Sequence, residues 1–197
     1  MDVLELEKEK KSLTRLNLLQ YNPIKIDLFE EDYSLDSLIS NDNFEKLCKK
    51  YKESFGYSKL KTFSFSKEGF LGLFLELKGK IAVSLGECEA LIQGAKLYES
   101  LGFDIVWLGL NKDGKVNLYQ LENQNIDFLF LSSYVMDTFV KTPLEEVKKI
   151  SSFKIISNGT AQISSFSDAI YFDNYKLTGY NLSGVLLFEK ENFFELL

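Results

Sequence analysis

Apolar residues recur at helical spacing at Phe44, Leu47, Tyr51 and Phe55, which predicts an amphipathic helix there. Ser40-Asn41-Asp42 supplies N-cap chemistry before it, and Gly56 stands where a C′ glycine would end it. Residues 1–20 read as a charged helix with Leu4, Leu13, Leu16 and Leu19 as its apolar positions, and residues 21–42 lack a clear period. From about residue 60 the texture changes, and short apolar runs alternate with helical patterns. Strands are predicted at 62–65, 80–85, 104–108, 127–131, 154–157, 169–172 and 184–188. Helices are predicted after the first strand through residue 78, over 87–101 up to Gly102, and from Pro143 to 150, with a short one at the terminus. Asn111-Lys112-Asp113-Gly114 is a turn signal.

Several of these strands are apolar at every position, the mark of a sheet buried on both faces. Strand-helix alternation over residues 60–160 predicts a mainly parallel sheet with crossover helices, an α/β domain over 43–197 preceded by a helical or irregular segment, 1–42. After residue 160 the strands follow one another without helices between them. Reacting groups in such sheets sit at the carboxyl ends of strands. The candidates there are Ser64 and Ser66, Glu87 and Cys88, Ser132 and Ser133, Asn158 and Gly159, and the loop Asp173-Asn174-Tyr175-Lys176.

Composition narrows the chemistry. The 197 residues carry a formal net charge of −6, which disfavours nucleic acid and anionic membrane surfaces as partners. Cys48 and Cys88 have no ligand spacing and imply a reducing, cytoplasmic setting. No signal-peptide pattern opens the chain, and the apolar stretch 70–75 is far too short to span a bilayer. The chain has no histidine. Ser-His-Asp and Cys-His catalysis and His-based metal sites are therefore excluded, and no metal is expected. Any general base is Lys, Asp, Glu, Tyr, Cys or a cofactor.

The stretch Ser84-Leu85-Gly86-Glu87-Cys88-Glu89-Ala90, followed in order by motifs at 111–118, 138–147, 161–162 and 168–186, resembles the large domain of cysteine desulfurases, the class-V branch of pyridoxal-phosphate (PLP) enzymes. Ser84-Leu85-Gly86-Glu87-Cys88-Glu89-Ala90 is similar to that family's Ser-x-x-Glu-His-x-Ala. Asn111 to Leu118 resembles Asp-x-x-Gly-x-(Val/Ile)-(Asp/Asn)-Leu, and Thr138 to Val147 resembles Thr-Gly-x-x-x-Pro-(Ile/Leu)-x-x-Ile. Ala161-Gln162 matches the end of Asp-Ala-Ala-Gln. Asp168 to Gly179, then Gly184-Val185-Leu186, resembles Asp-x-x-x-x-Ser-x-His-Lys-x-x-Gly, then Gly-x-Leu. Single motifs are weak, but five in order over residues 60–190 are fairly specific.

The resemblance implies a PLP-transferase large-domain fold, with helices on both faces of a mixed sheet. It places Lys176 at the Schiff-base lysine and Gln162 at the contact to the PLP phenolic oxygen. It also implies departures. The ring-stacking histidine is Cys88. The acid that pairs with the pyridine nitrogen falls at Gly159, with Asn158 beside it. The phosphate loop falls near Ser64-Phe65-Ser66-Lys67-Glu68 without a glycine, and the Ser-x-His before the lysine is Asp173-Asn174-Tyr175, where Asp173 would repel phosphate. The asparagine-rich substrate segment is Val135-Met136-Asp137. The family's C-terminal small domain, with its catalytic cysteine and substrate arginine, has no counterpart.

Plainer readings stand beside these. By residue type alone Lys176 is a solvated loop lysine, Gln162 a satisfied polar residue, Cys88 a small buried hydrophobe, and Ser64 and Ser66 N-caps. The terminal Phe193-Phe194 reads as a docking surface. Two functions are expected. In one, the chain is a degenerate desulfurase relative acting as a binding or scaffolding subunit, in a homodimer or with a full-length homologue. In the other, it binds PLP at Lys176 and performs transferase or lyase chemistry in a homodimer whose partner chain completes the site.

Overall fold

The computed structural model describes residues 42–150, 152–160, 162–174 and 183–189. The segment 1–41, the loop with Tyr175 and Lys176, and the terminal Phe193-Phe194 lie outside the described residues.

Helix α1 spans Asp42–Phe55. Gly56 ends it at φ +72°, and Tyr57 N–H donates back to the Lys52 carbonyl at 3.0 Å, a Schellman-type closure. The chain then builds β1 (Lys59–Ser64), α2 (Lys67–Glu76), β2 (Ile81–Ser84), α3 (Glu89–Ser100) and β3 (Ile105–Leu108). A single 3₁₀ turn follows at Leu118–Leu121, then β4 (Phe128–Phe130), α4 (Leu144–Lys148), β5 (Lys154–Asn158), β6 (Ala169–Asp173) and β7 (Ser183–Phe188).

The seven strands form one sheet in the order β1-β7-β6-β5-β4-β2-β3. Strands β2 to β6 are mutually parallel, and β7 runs antiparallel to both β6 and β1. Among the described residues no helix lies between β5 and β6, yet they are parallel, and the direction reverses only at β7.

Alternation along each strand explains the continuous apolar runs. Ile81, Val83, Phe128, Phe130, Ile156, Tyr171 and Leu186 face α2 and α3. Ala82, Leu129 and Ile155 face the 3₁₀ turn and α4, while Ile170, Phe172, Val185 and Leu187 meet Tyr51 and Phe55 of α1. Helices thus cover both faces, as the apolar pattern predicts. No helix among the described residues is long and apolar enough to cross a membrane.

The crossing of α2 over α3 depends on Gly94. A Cβ there would lie 2.7 Å from Phe70 Cβ and 2.9 Å from the Lys67 carbonyl. Gly72, within α2, has nothing within 4 Å of a built Cβ. Gly94→Ala is therefore expected to cost about 1–3 kcal/mol through overpacking. Gly72→Ala should instead add about 0.5–1 kcal/mol through helix propensity. Urea denaturation of the two variants checks the opposite signs.

Candidate functional site

The carboxyl ends of β2, β4 and β5 form a rim at which three loops meet. After β2 the Ser84 hydroxyl accepts Gly86 N–H at 3.0 Å and bends the chain. This bend brings Glu87 inward, and Cys88 becomes the N-cap position of α3. Glu87 is only 4% exposed. Its Oε2 accepts from the Tyr171 hydroxyl at 2.6 Å and the Ser132 hydroxyl at 2.8 Å. The Ser132 backbone N–H also bonds its carboxyl group. Ser132 Oγ in turn accepts Asn158 N–H at 2.9 Å. One carboxylate thus ties together the loop after β2 and strands β4, β5 and β6.

Burial dominates its titration. Desolvation pushes Glu87 up from 4.5 to about 7, although the bonds from Tyr171 and Ser132 pull the other way. Tyr171 is itself raised, first by burial and then by Cys88 and Glu87, so its phenol stays protonated and donates. Cys88 Sγ lies 3.8 Å from that hydroxyl. Phe65 and Phe70 pack on the Tyr171 ring at centroid distances of 6.2 and 5.3 Å.

Beside this cluster lies a cavity of about 440 Å³ lined by Cys88, Glu89, Tyr134, Met136, Asp137, Phe139 and Thr160. Its outer wall is a narrow loop after β4, closed by an isolated bridge between Tyr134 and Lys141. Met136 N–H donates to the Gly86 carbonyl at 2.8 Å, and Phe139 N–H to the Val135 carbonyl at 2.9 Å. Gly86 has no room for a side chain against Val135, since a Cβ would sit 3.0 Å from a Val135 methyl. Phe139 adopts φ +56° and is 74% exposed.

The structure separates the residues singled out from the sequence. Cys88 lines the rim cavity. Asn158 lies next to it, with Oδ1 accepting Thr160 N–H at 2.9 Å and Nδ2 directed at Met136 Sδ at 3.8 Å. One end of that amide serves the local turn and the other reaches the loop after β4. Gln162 is exposed and lines a second groove of about 350 Å³ with Lys141, Pro143 and Phe166. Ser64 and Ser66 sit at the start of α2, where Ser66 Oγ accepts Gly69 N–H at 3.3 Å as an N-cap. Asp173 ends β6, its N–H reaching Thr160 Oγ1 at 3.4 Å. Lys176 lies outside the described residues. Glu87, named among the strand-end candidates, is the best-connected acid of the rim.

Described positions that the resemblance assigns to PLP contacts are poorly suited to them. The start of α2, where the resemblance places the phosphate, carries the exposed pair Lys67 and Glu68, whose charges offset one another at 3.8 Å. The residue aligned with the pyridine-pairing acid is Gly159, and a Cβ there would lie 2.6 Å from the Phe172 ring. An aromatic ring fills the space a carboxylate would need. The rim cavity carries Glu89 and Asp137 and no cationic residue among those lining it.

Strand order, the antiparallel β7 and the loop-built rim define the PLP-dependent transferase fold, which solved structures share. A NifS-like protein is 15% identical with a TM-score of 0.64, covering 84% of this chain and 52% of its own. A cysteine desulfurase from Thermococcus onnurineus NA1 is 14% identical with a TM-score of 0.57, covering 84% and 47%. The SepCysS–SepCysE N-terminal domain complex gives 12% identity and a TM-score of 0.59 over 75% of this chain and 46% of that one. The chain spans about half the length of these solved structures. No protein-family model and no curated protein matches it.

Proposed function

We propose that this chain is a cysteine-desulfurase-like module that keeps the PLP-transferase scaffold but does not perform PLP chemistry by itself. It serves as a binding or scaffolding subunit, as a homodimer or in a heteromer with a full-length homologue, in a reducing cytoplasmic setting. The observation that carries this reading is the end of β5, where the Phe172 ring lies 2.6 Å from a Cβ built at Gly159, the position that the resemblance gives to the pyridine-pairing acid. The two carboxylates of the rim cavity, Glu89 and Asp137, support the same reading, since they disfavour an anionic cofactor.

Two measurements on the full chain test it. Light scattering should give the mass of a dimer, or of a mixed assembly when a full-length desulfurase is added. Incubation of the chain alone with PLP and cysteine should release no sulfide above the rate of PLP in buffer. Sulfide release by the chain alone that is lost in Lys176→Ala would overturn the proposal in favour of a PLP-dependent transferase or lyase. A monomer that does not assemble would remove the subunit role.

A further inference from the structure

We infer that the rim cavity is a binding site for an organic cation, an ammonium group carried on a small apolar body. The inference deepens the reading above, since both concern the same rim, and it assigns a ligand class that a scaffolding role leaves open.

Four features of the cavity argue for it. Its volume of about 440 Å³ suits a small ligand. Among the described residues its charged lining residues are both acids, Glu89 and Asp137. The lysine nearest in sequence on the outer wall, Lys141, lines the second groove instead. The same lining holds two aromatic rings, Tyr134 and Phe139, and the soft sulfurs of Met136 and Cys88. Aromatic faces and polarisable sulfur attract cations and favour their methyl or methylene groups. Among the described lining residues an anion would find only the neutral Tyr134 and Thr160 hydroxyls and the start of α3, where Glu89 sits in the first turn and offsets the helix dipole.

The walls are also set before any ligand arrives. Met136 is fixed through Gly86 and by the Asn158 amide. Thr138 Oγ1 anchors the outer loop to the Gly114 carbonyl at 3.3 Å. Phe139 is exposed and adopts a left-handed backbone conformation that aromatic residues seldom adopt. A preformed wall lowers the ordering cost of binding.

The sequence supplies a probe. The only methionines are Met1 and Met136, so methyl-¹³C-methionine labelling gives two signals, and Met136→Leu assigns them. Choline tests a small-molecule ammonium, and Nα-acetyl-lysine methylamide tests the side chain of a peptide partner. Inorganic phosphate is the anionic control, with ionic strength held constant by NaCl. The Met136 methyl should shift saturably with millimolar choline, with the lysine derivative, or with both, and not with phosphate. The stronger of the two names the source. Glu89→Gln combined with Asp137→Asn should weaken that binding roughly tenfold or more with an unchanged circular dichroism spectrum. Phe139→Leu should weaken it by a smaller factor. A Met136 signal unmoved by both cations, or moved equally in the doubly neutralised variant, overturns the inference. Neither result bears on sulfide release or assembly, so the two proposals fail separately.

Discussion

Gly159→Asp is expected to destabilise the domain by roughly 3–5 kcal/mol, enough to unfold a marginal protein of this size. The position is buried at the end of β5, and its N–H is committed to the Tyr171 carbonyl at 2.8 Å. A new Cβ would press on the Phe172 ring at 2.6 Å. That ring cannot simply swing aside, because it is 1% exposed and packs on Phe55 at a centroid distance of 4.7 Å. The carboxylate would then be buried beside apolar groups. Gly159→Ala isolates the steric part and should cost about 1–3 kcal/mol. Phe172→Leu should relieve some of the clash, so Gly159→Ala with Phe172→Leu should cost less than the sum of the two. Urea denaturation of the set measures this. A Gly159→Asp variant as stable as the parent would mean that the site has room for the acid its relatives are expected to use there.

Glu87→Gln is expected to change how stability depends on pH. The folded carboxyl titrates near 7 and the unfolded one near 4.5. The folded state therefore holds its proton more tightly. The contribution of Glu87 is fully present below about 4.5, declines as pH rises toward about 7, and stays low above it. A shift of that size corresponds to roughly 3 kcal/mol lost across the window. The glutamine amide keeps an oxygen to accept from Ser132 and Tyr171 and does not ionise. The variant's stability should thus gain on the parent's between pH 5 and 8 by roughly 2–3 kcal/mol. Tyr171→Phe should push the window higher, because the phenol's bond is one of the factors holding the Glu87 value down. Parallel pH profiles for parent and Glu87→Gln would show that the carboxyl is not desolvated.

Most of the sheet was legible because both of its faces are covered. The runs Ile81-Ala82-Val83 and Phe128-Leu129-Phe130-Leu131 are continuously apolar because alternate side chains meet different helical layers, and they make up most of the strands Ile81–Ser84 and Phe128–Phe130. β1 was harder to delimit. It starts at Lys59, three residues before the predicted 62, because an edge strand alternates exposed and half-buried positions and dilutes the apolar signal. The 3₁₀ turn at Leu118–Leu121 was not read at all, since a single turn is too short to display a period.

The site was legible only in part. An acid on the loop after a strand reads as solvated. Glu87 is buried because its donors arrive from far along the chain, Ser132 at a separation of 45 residues and Tyr171 at 84. No local pattern announces that pairing. Gln162 stands four residues beyond Asn158, yet the turn through Thr160 carries it into the other groove. Spacing along the chain could not show the direction of that turn. The excess of acids was visible in the composition, but their convergence on one cavity required the fold.

The central claim is that a PLP-transferase scaffold here lacks the grip its cofactor needs. Borohydride reduction of the purified full chain after incubation with excess PLP, followed by peptide mass mapping, tests it most directly. The account predicts no absorbance band at the blue edge of the visible range before reduction, and no preferential pyridoxyl label on the peptide carrying Lys176 compared with exposed lysines such as Lys112. A yellow protein with stoichiometric label on Lys176 would contradict it.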